Sequence, residues 1–263
     1  MIQSIVNLDL YPIKDIEAED ARSVIEACCR RFRETGLCML PDFLQDEALS
    51  TMVREAQQLS DEAHITEQWQ ANKHGDGSSD TSTDTRKTRA RFGAVGYDRL
   101  SADSPLRTLY EWEGLTGLVA AIVGQPGLHR IADPLMSCTL SFFCKGDELG
   151  WHYDSNEATV SLLLQAADEG GAFEFVPQTR GSGEGDAEAH EQAVLNGRAE
   201  NLIRPQVTAG TFSIFNGNHA LHRVAPVTGE RERIVALLNY STETDYAFNE
   251  QVHMRFLGRT AQA

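Results

Sequence analysis

The sequence predicts an α+β fold, with N-terminal helices packed on a C-terminal β-core. Three observations carry this. The first 130 residues hold amphipathic stretches with apolar side chains at three- and four-residue spacing. From Ile131 onward the texture changes to short β-rich runs, SCTLSFFC, TVSLLLQ, AFEFVP, TFSIFN and RIVALLNY, separated by Gly, Pro, Asn and Asp. Evenly spaced short strands of this kind belong to a sandwich, jelly roll or barrel. The whole chain, 1–263, then reads as one domain: a mainly helical layer over 1–130, a β-core over 131–245 and a tail over 246–263.

Residues 15–35 predict a helix, because Ala21, Val24, Ile25, Cys28 and Phe32 fall on one face and Gly36 follows as a C-cap. LCMLPDFL, 37–44, predicts a short buried strand ending in a Pro turn. A second helix is expected from about Asp46 to Ser60, with Leu49, Met52, Val53 and Leu59 buried. Residues 65–88 are rich in Ser, Thr, Asp and Gly and predict a mobile loop, either a lid or a plain surface insertion. A single third helix is expected over 104–123, with Pro105 in its first turn and Gly124 closing it. Within the β-core, 178–200 read as a polar insertion.

Composition narrows the function classes. The chain is 41% hydrophobic and 24% charged, as in ordinary globular proteins. No run of about 18 apolar residues appears, so no transmembrane helix is expected. The N-terminus lacks a basic region followed by an apolar stretch, so a cytoplasmic location is expected. A formal net charge of -16 repels phosphate backbones, which speaks against a nucleic-acid partner and for a small molecule. Five cysteines without a CxxC pair indicate reduced thiols. Oligomeric state stays open between monomer and homodimer.

The chemistry concentrates in GWHYDSNEATVSLLLQ, 150–165. On a strand, residues two apart share a face. His152 and Asp154 therefore present a nitrogen and an oxygen donor together. A second histidine would complete a two-histidine, one-carboxylate triad that leaves positions open on iron(II). The segment TFSIFNGNHALHRVAPVTGERERIVALLNY, 211–240, offers His219 and His222, three apart and thus on opposite faces of an extended chain. His222, before RVAPV, is the preferred ligand, and His219 a structural neighbour. Arg231 and Arg233 share parity at the start of an apolar strand, and either could hold a carboxylate bidentately. Arg233 is preferred because the apolar run begins right after it. Arg89 and Arg91 follow the polar 65–88 segment and are candidate binders of a substrate carboxylate. Asn239, in parity with Arg233, is a candidate pocket residue. Trp151 and Tyr153 should face away from the metal, and His64, His74, His129, His190 and His253 receive no role.

Taken together, HxD at His152 and Asp154, the Gly170–Gly171 pair before AFEFVP, His222 in HRVAPV and the arginine turn resemble the iron(II)/2-oxoglutarate-dependent dioxygenase superfamily. The likeness covers about 137–242. The phrases GWHYD, GGAFEFVPQTR and LHRVAPVT are most similar to a bacterial group acting on free amino acids, which contains lysine halogenases and hydroxylating relatives. The resemblance implies a double-stranded β-helix, a jelly-roll or cupin-like core with the N-terminal helices on one sheet. It implies Fe(II) as cofactor, with 2-oxoglutarate and O2 as cosubstrates. 2-Oxoglutarate would chelate the iron and pair its distal carboxylate with Arg233, and oxidation would release succinate and CO2. In the halogenating members a small residue replaces the metal carboxylate and chloride takes the vacant place. This chain keeps Asp154, so the resemblance implies hydroxylation of an amino-acid-like substrate. Leu149 and Ser155, beside the motif, offer no buried charge for a substrate amine, which speaks against a lysine-like substrate. Desaturation, cyclisation or another ring-forming oxidation would use the same ligands. A non-catalytic metal-binding jelly roll is the reading from a different class.

Overall fold

The structure is a computed structural model and describes residues 2–71, 87–155, 158–180 and 184–261. In chain order the elements are α1 (Glu19–Thr35), β1 (Leu37–Leu40), α2 (Asp46–Leu59), β2 (His64–Ala71), β3 (Lys87–Val95), α3 (Pro105–Glu111), α4 (Glu113–Val123), β4 (His129–Arg130), β5 (Cys138–Phe143) and β6 (Glu148–His152). They continue with β7 (Thr159–Gln165), β8 (Phe173–Val176), α5 (Glu184–Leu195), β9 (Phe212–Phe215), β10 (Leu221–Val224), β11 (Arg233–Leu238), β12 (Tyr240–Ser241) and α6 (Glu250–Leu257).

Among the described residues, ten strands form one antiparallel sheet in the order β1-β9-β7-β11-β5-β3-β6-β10-β8, with β2 paired to β3 outside that path. β4 and β12 form a small separate ladder. The large sheet curls, because residues from β5, β7 and β11 on one wing and from β6, β8 and β10 on the other line the same cavity.

Period-two alternation decides what each face does. On β5, Leu140 and Phe142 join the main core, as do Ile234, Ala236 and Leu238 on β11 and Val160, Leu162 and Leu164 on β7. Helices α1 to α4 supply the opposing half of that core through Cys28, Met52, Leu106, Leu115 and Leu118. Each Val, Leu, Ile, Phe or Met among them, when fully buried, contributes about 1.5–3 kcal/mol. The alternate residues, Thr139, Ser141 and Phe143 on β5 and Arg233, Val235 and Leu237 on β11, face the cavity instead. One strand thus anchors the helical layer and builds the pocket wall.

The helices α1 and α2 and the strands β1, β5, β7, β8, β9 and β11 lie where periodicity placed them. Ser104 caps α3 by accepting the Arg107 N–H, and Pro105 sits at its start. Two expectations need correction, and two segments given no element by the sequence carry helices. The single helix over 104–123 is two, because Trp112 adopts an extended conformation (φ -74, ψ 119) between α3 and α4. The expected loop over 65–88 is in part the hairpin strands β2 and β3, paired from His64↔Ala94 to Ala71↔Lys87. The remainder of that segment lies outside the described residues. The polar insertion at 178–200 carries α5. The C-terminal tail carries α6, which packs on β2 and β3. Asn249 starts α6 by accepting the Val252 N–H at 3.0 Å.

Candidate metal centre

β6 and β10 pair antiparallel with His222 opposite His152. Each ring nitrogen Nδ1 bonds a backbone carbonyl two residues back: His152 to Gly150 at 2.8 Å and His222 to Ala220 at 3.0 Å. These bonds fix both rings with Nδ1 as donor and free Nε2 as ligand. Nε2 of His152 lies 3.4 Å from Asp154 Oδ1, and Nε2 of His222 lies 3.3 Å from Asp154 Oδ2. One donor atom from each residue falls within 4.8 Å of the other two, an arrangement able to hold a metal ion.

Asp154 is held by three constraints. Its N–H donates to Gly217 O at 3.0 Å, and the Thr159 hydroxyl donates to its Oδ2. A Cβ at position 217 would meet Asp154 Oδ2 at 2.2 Å, so only glycine lets the β9–β10 loop close over the carboxylate. Burial pushes the Asp154 carboxyl up, but the imidazoles of His222 and His152 outweigh it and hold it well below the usual carboxylate range. The three donors are therefore set to act as a nitrogen–oxygen–nitrogen chelate.

Arg233 begins β11 on the cavity face and is 7% exposed. Its guanidinium lies over the Phe143 ring, 5.6 Å from the centroid. Nη1 is buried without a hydrogen-bond partner. Burial lowers its pKa to about 10. A buried, unpaired guanidinium costs several kcal/mol unless an anion joins it. Gly170 and Gly171 turn below it with φ of 75 and 63, letting the chain pass Pro226 O and the Arg233 side chain at close range. The donor set and this orphaned cation together fit iron(II) and a dicarboxylate such as 2-oxoglutarate.

The cavity between them measures about 360 Å³. Asn239 lines it, with its side-chain amide donating to Met136 O at 2.7 Å. Arg231 lies elsewhere: it precedes β11, is exposed, and donates through Nε to Ala166 O. Arg89 and Arg91 do not reach the cavity either. β3 turns Ala90, Phe92 and Ala94 into the fold, so its arginines point out, where Arg91 pairs with buried Asp147 and Arg89 with Glu67. The expectation that they bind substrate is corrected by that alternation. Trp151 packs outside with Val176 and Leu221, under the Arg223 guanidinium. Tyr153 contributes to the cavity wall, which parity from the strand had excluded. His219 is not among the chelating set, and its carbonyl accepts from Arg180 N.

The C-terminal wall of the cavity escaped the sequence reading. Phe248, Val252 and Phe256 of the C-terminal segment line the cavity. Their spacing of four was a helical signal, placed after a strand-rich region. His253 has a structural role: its Nε2 lies 2.7 Å from Asp133 Oδ2, and Asp133 also accepts the N–H groups of Leu135, Met136 and Phe248. Asp133 thereby ties the approach to α6 to the strand β5.

The family model described as Halogenase D matches residues 20–255. No curated protein sequence matches the chain. Solved structures share its fold. The epimerase SnoN from nogalamycin biosynthesis, in complex with Fe3+, alpha ketoglutarate and nogalamycin RO, is 15% identical and covers 85% of this chain and 84% of its own, with a TM-score of 0.59. HygX from Streptomyces hygroscopicus, with nickel and 2-oxoglutarate bound, is 14% identical over 82% of this chain and 86% of its own, at 0.55. A prolyl-4-hydroxylase from Pseudomonas putida is 13% identical over 81% of this chain and 97% of its own, at 0.53. The likeness is one of fold: a jelly-roll core of the α+β class with helices packed on one wing.

Proposed function

The chain belongs to the halogenase D family, within the iron(II)/2-oxoglutarate-dependent oxygenases, and from that premise we propose that it hydroxylates an unactivated C–H bond of a small amino-acid-like substrate. The observation that carries this is Asp154, a carboxylate standing between two histidine Nε2 atoms. Bound iron(II), with 2-oxoglutarate and O2, supplies the oxidation, and succinate and CO2 leave as coproducts.

The chain's own residues hold, orient and enclose. His152, Asp154 and His222 hold the metal. Arg233 would pair with the distal carboxylate of 2-oxoglutarate, and the exposed Arg231 would not. Asp154 would fill the place that a halide would need, which favours transfer of oxygen over halogen. Asn239 and the hydroxyls of Thr139 and Ser141 give the wall polar positions for the substrate. Phe92, Phe143 and Phe173 exclude water around the reacting bond.

Screening free amino acids for substrate-triggered succinate release, with iron(II), O2 and 2-oxoglutarate, tests this reading. A product heavier by one oxygen supports it. A product lighter by two hydrogens assigns desaturation or ring closure instead. No succinate with any compound would leave a non-catalytic metal-binding fold.

A further inference from the structure

The cavity has a second cation besides Arg233. Arg255 on α6 lines it, and its guanidinium lies over the ring of Phe256, 4.9 Å from the centroid. Its backbone carbonyl accepts the Thr66 hydroxyl at 2.9 Å, which fastens this turn of α6 to β2. Among the described residues no carboxylate lies within ion-pair distance of Arg255, whereas Arg89 and Arg91 on the neighbouring outer face are both paired. Partial burial lowers its pKa.

Gln68 stands in the same wall. Ile65 and Trp69 on β2 are exposed, 48% and 62%, while Thr66 is buried and Gln68 lines the cavity. Gln68 Nε2 is buried and has no hydrogen-bond partner. An amide donor left so is destabilising until an acceptor reaches it. Gln68 Nε2 therefore reaches this cavity without an acceptor, and Arg255, largely exposed, brings to it a cation that no carboxylate pairs among the described residues. The charges that line it elsewhere, among the described residues, belong to the metal triad and Arg233. Phe92, Met136, Phe248, Val252 and Phe256 also line the cavity, and the Phe256 ring lies against the Arg255 guanidinium.

We propose that Arg255 and Gln68 form a clamp for an anionic group of the substrate, so that the cavity selects a carboxylic acid with an apolar body over one with a cationic side chain. A guanidinium and an amide N–H together match the two oxygens of a carboxylate. A substrate side-chain ammonium finds, among the charges lining the cavity, no carboxylate but Asp154, which the metal would occupy, and so is desolvated with little compensation. The inference rests on the hydroxylase reading for the existence of a substrate, and adds its charge and the residues that read it.

Calorimetric binding to the protein loaded with nickel(II) and 2-oxoglutarate tests the clamp without turnover. The probes are L-leucine, L-phenylalanine, their carboxamides, and L-lysine. The acids should bind at least about 10-fold more tightly than their amides and than L-lysine. Arg255→Gln should remove that preference, leaving amide and 2-oxoglutarate affinities within about two-fold. Arg255→Lys should restore part of it, and Gln68→Leu should weaken acid binding by roughly three-fold. Equal binding of acids and amides, tight L-lysine binding, failure of every acid to bind, or a loss of 2-oxoglutarate affinity in Arg255→Gln would each overturn the clamp. The two readings fail separately. Succinate release with a neutral or cationic compound, unchanged by Arg255→Gln, sinks the clamp alone. Acid-selective binding without succinate from any compound sinks the hydroxylase alone.

Discussion

His222 stands directly across the β10–β6 ladder from His152, and the two imidazoles turn Nε2 toward the two oxygens of Asp154. Cross-strand neighbours of an antiparallel pair have Cβ atoms only about 4.5–5.5 Å apart. A metal site is thus built into the sheet itself, with both rings locked by their own strands' carbonyls.

That pairing predicts which histidine binds metal. His222→Ala should abolish tight iron(II) or zinc(II) binding, and His219→Ala should keep it. A metal at about 100 times its Kd stabilises the fold by ~2.7 kcal/mol. The thermal shift on metal addition should therefore vanish in His222→Ala and persist in His219→Ala. The reverse pattern would exchange the two roles.

Asp154 depends on Thr159, whose hydroxyl donates to it. Groups of this kind typically account for 10–100-fold in metal affinity or activity. Thr159→Val should weaken iron(II) binding by about 10-fold, while Asp154→Ala should remove hydroxylation altogether. Competition with a chelator measures the first, and product analysis the second. Unchanged hydroxylation in Asp154→Ala would exclude the carboxylate as a ligand.

Arg233 has a buried Nη1 with no partner. Arg233→Met should raise the 2-oxoglutarate requirement by about 100-fold, as expected on losing a buried charge pair, with iron affinity retained. Arg231→Met should change little, because that side chain is exposed. Titrating succinate formation against 2-oxoglutarate separates the two.

Asp133 is 1% exposed and receives four hydrogen bonds, from His253 and three backbone N–H groups. Burial pushes its carboxyl up, but those bonds win and its pKa is lowered. A depressed folded-state pKa gives stability that is present above the unfolded value of about 3.9 and lost as pH falls through the folded value. Asp133→Ala should cost about 3–5 kcal/mol near neutral pH. Urea unfolding should show wild type losing more stability than the variant as pH falls below about 4. Equal losses would show that Asp133 does not carry the acid sensitivity.

Much of this was legible in the sequence because alternation survives folding. β5 and β11 show their apolar and cavity-facing residues in strict order, whereas Tyr153 and Asp154 lie past the end of β6, where strand parity no longer governs which side chain enters the cavity. What was not legible depended on distant partners. Arg89 and Arg91 looked like substrate binders until β3 gained a register with β2 and β5. Trp112 breaks a pattern that is helical on both sides. The tail became part of the pocket only because β2 and β3 offered α6 a face to pack on.

The most direct test of the central claim is the mass of the product formed from an accepted amino acid with iron(II), 2-oxoglutarate, O2 and excess chloride. The retained Asp154 predicts the gain of one oxygen atom, drawn from O2, and no chlorine. A chlorinated product would contradict the account.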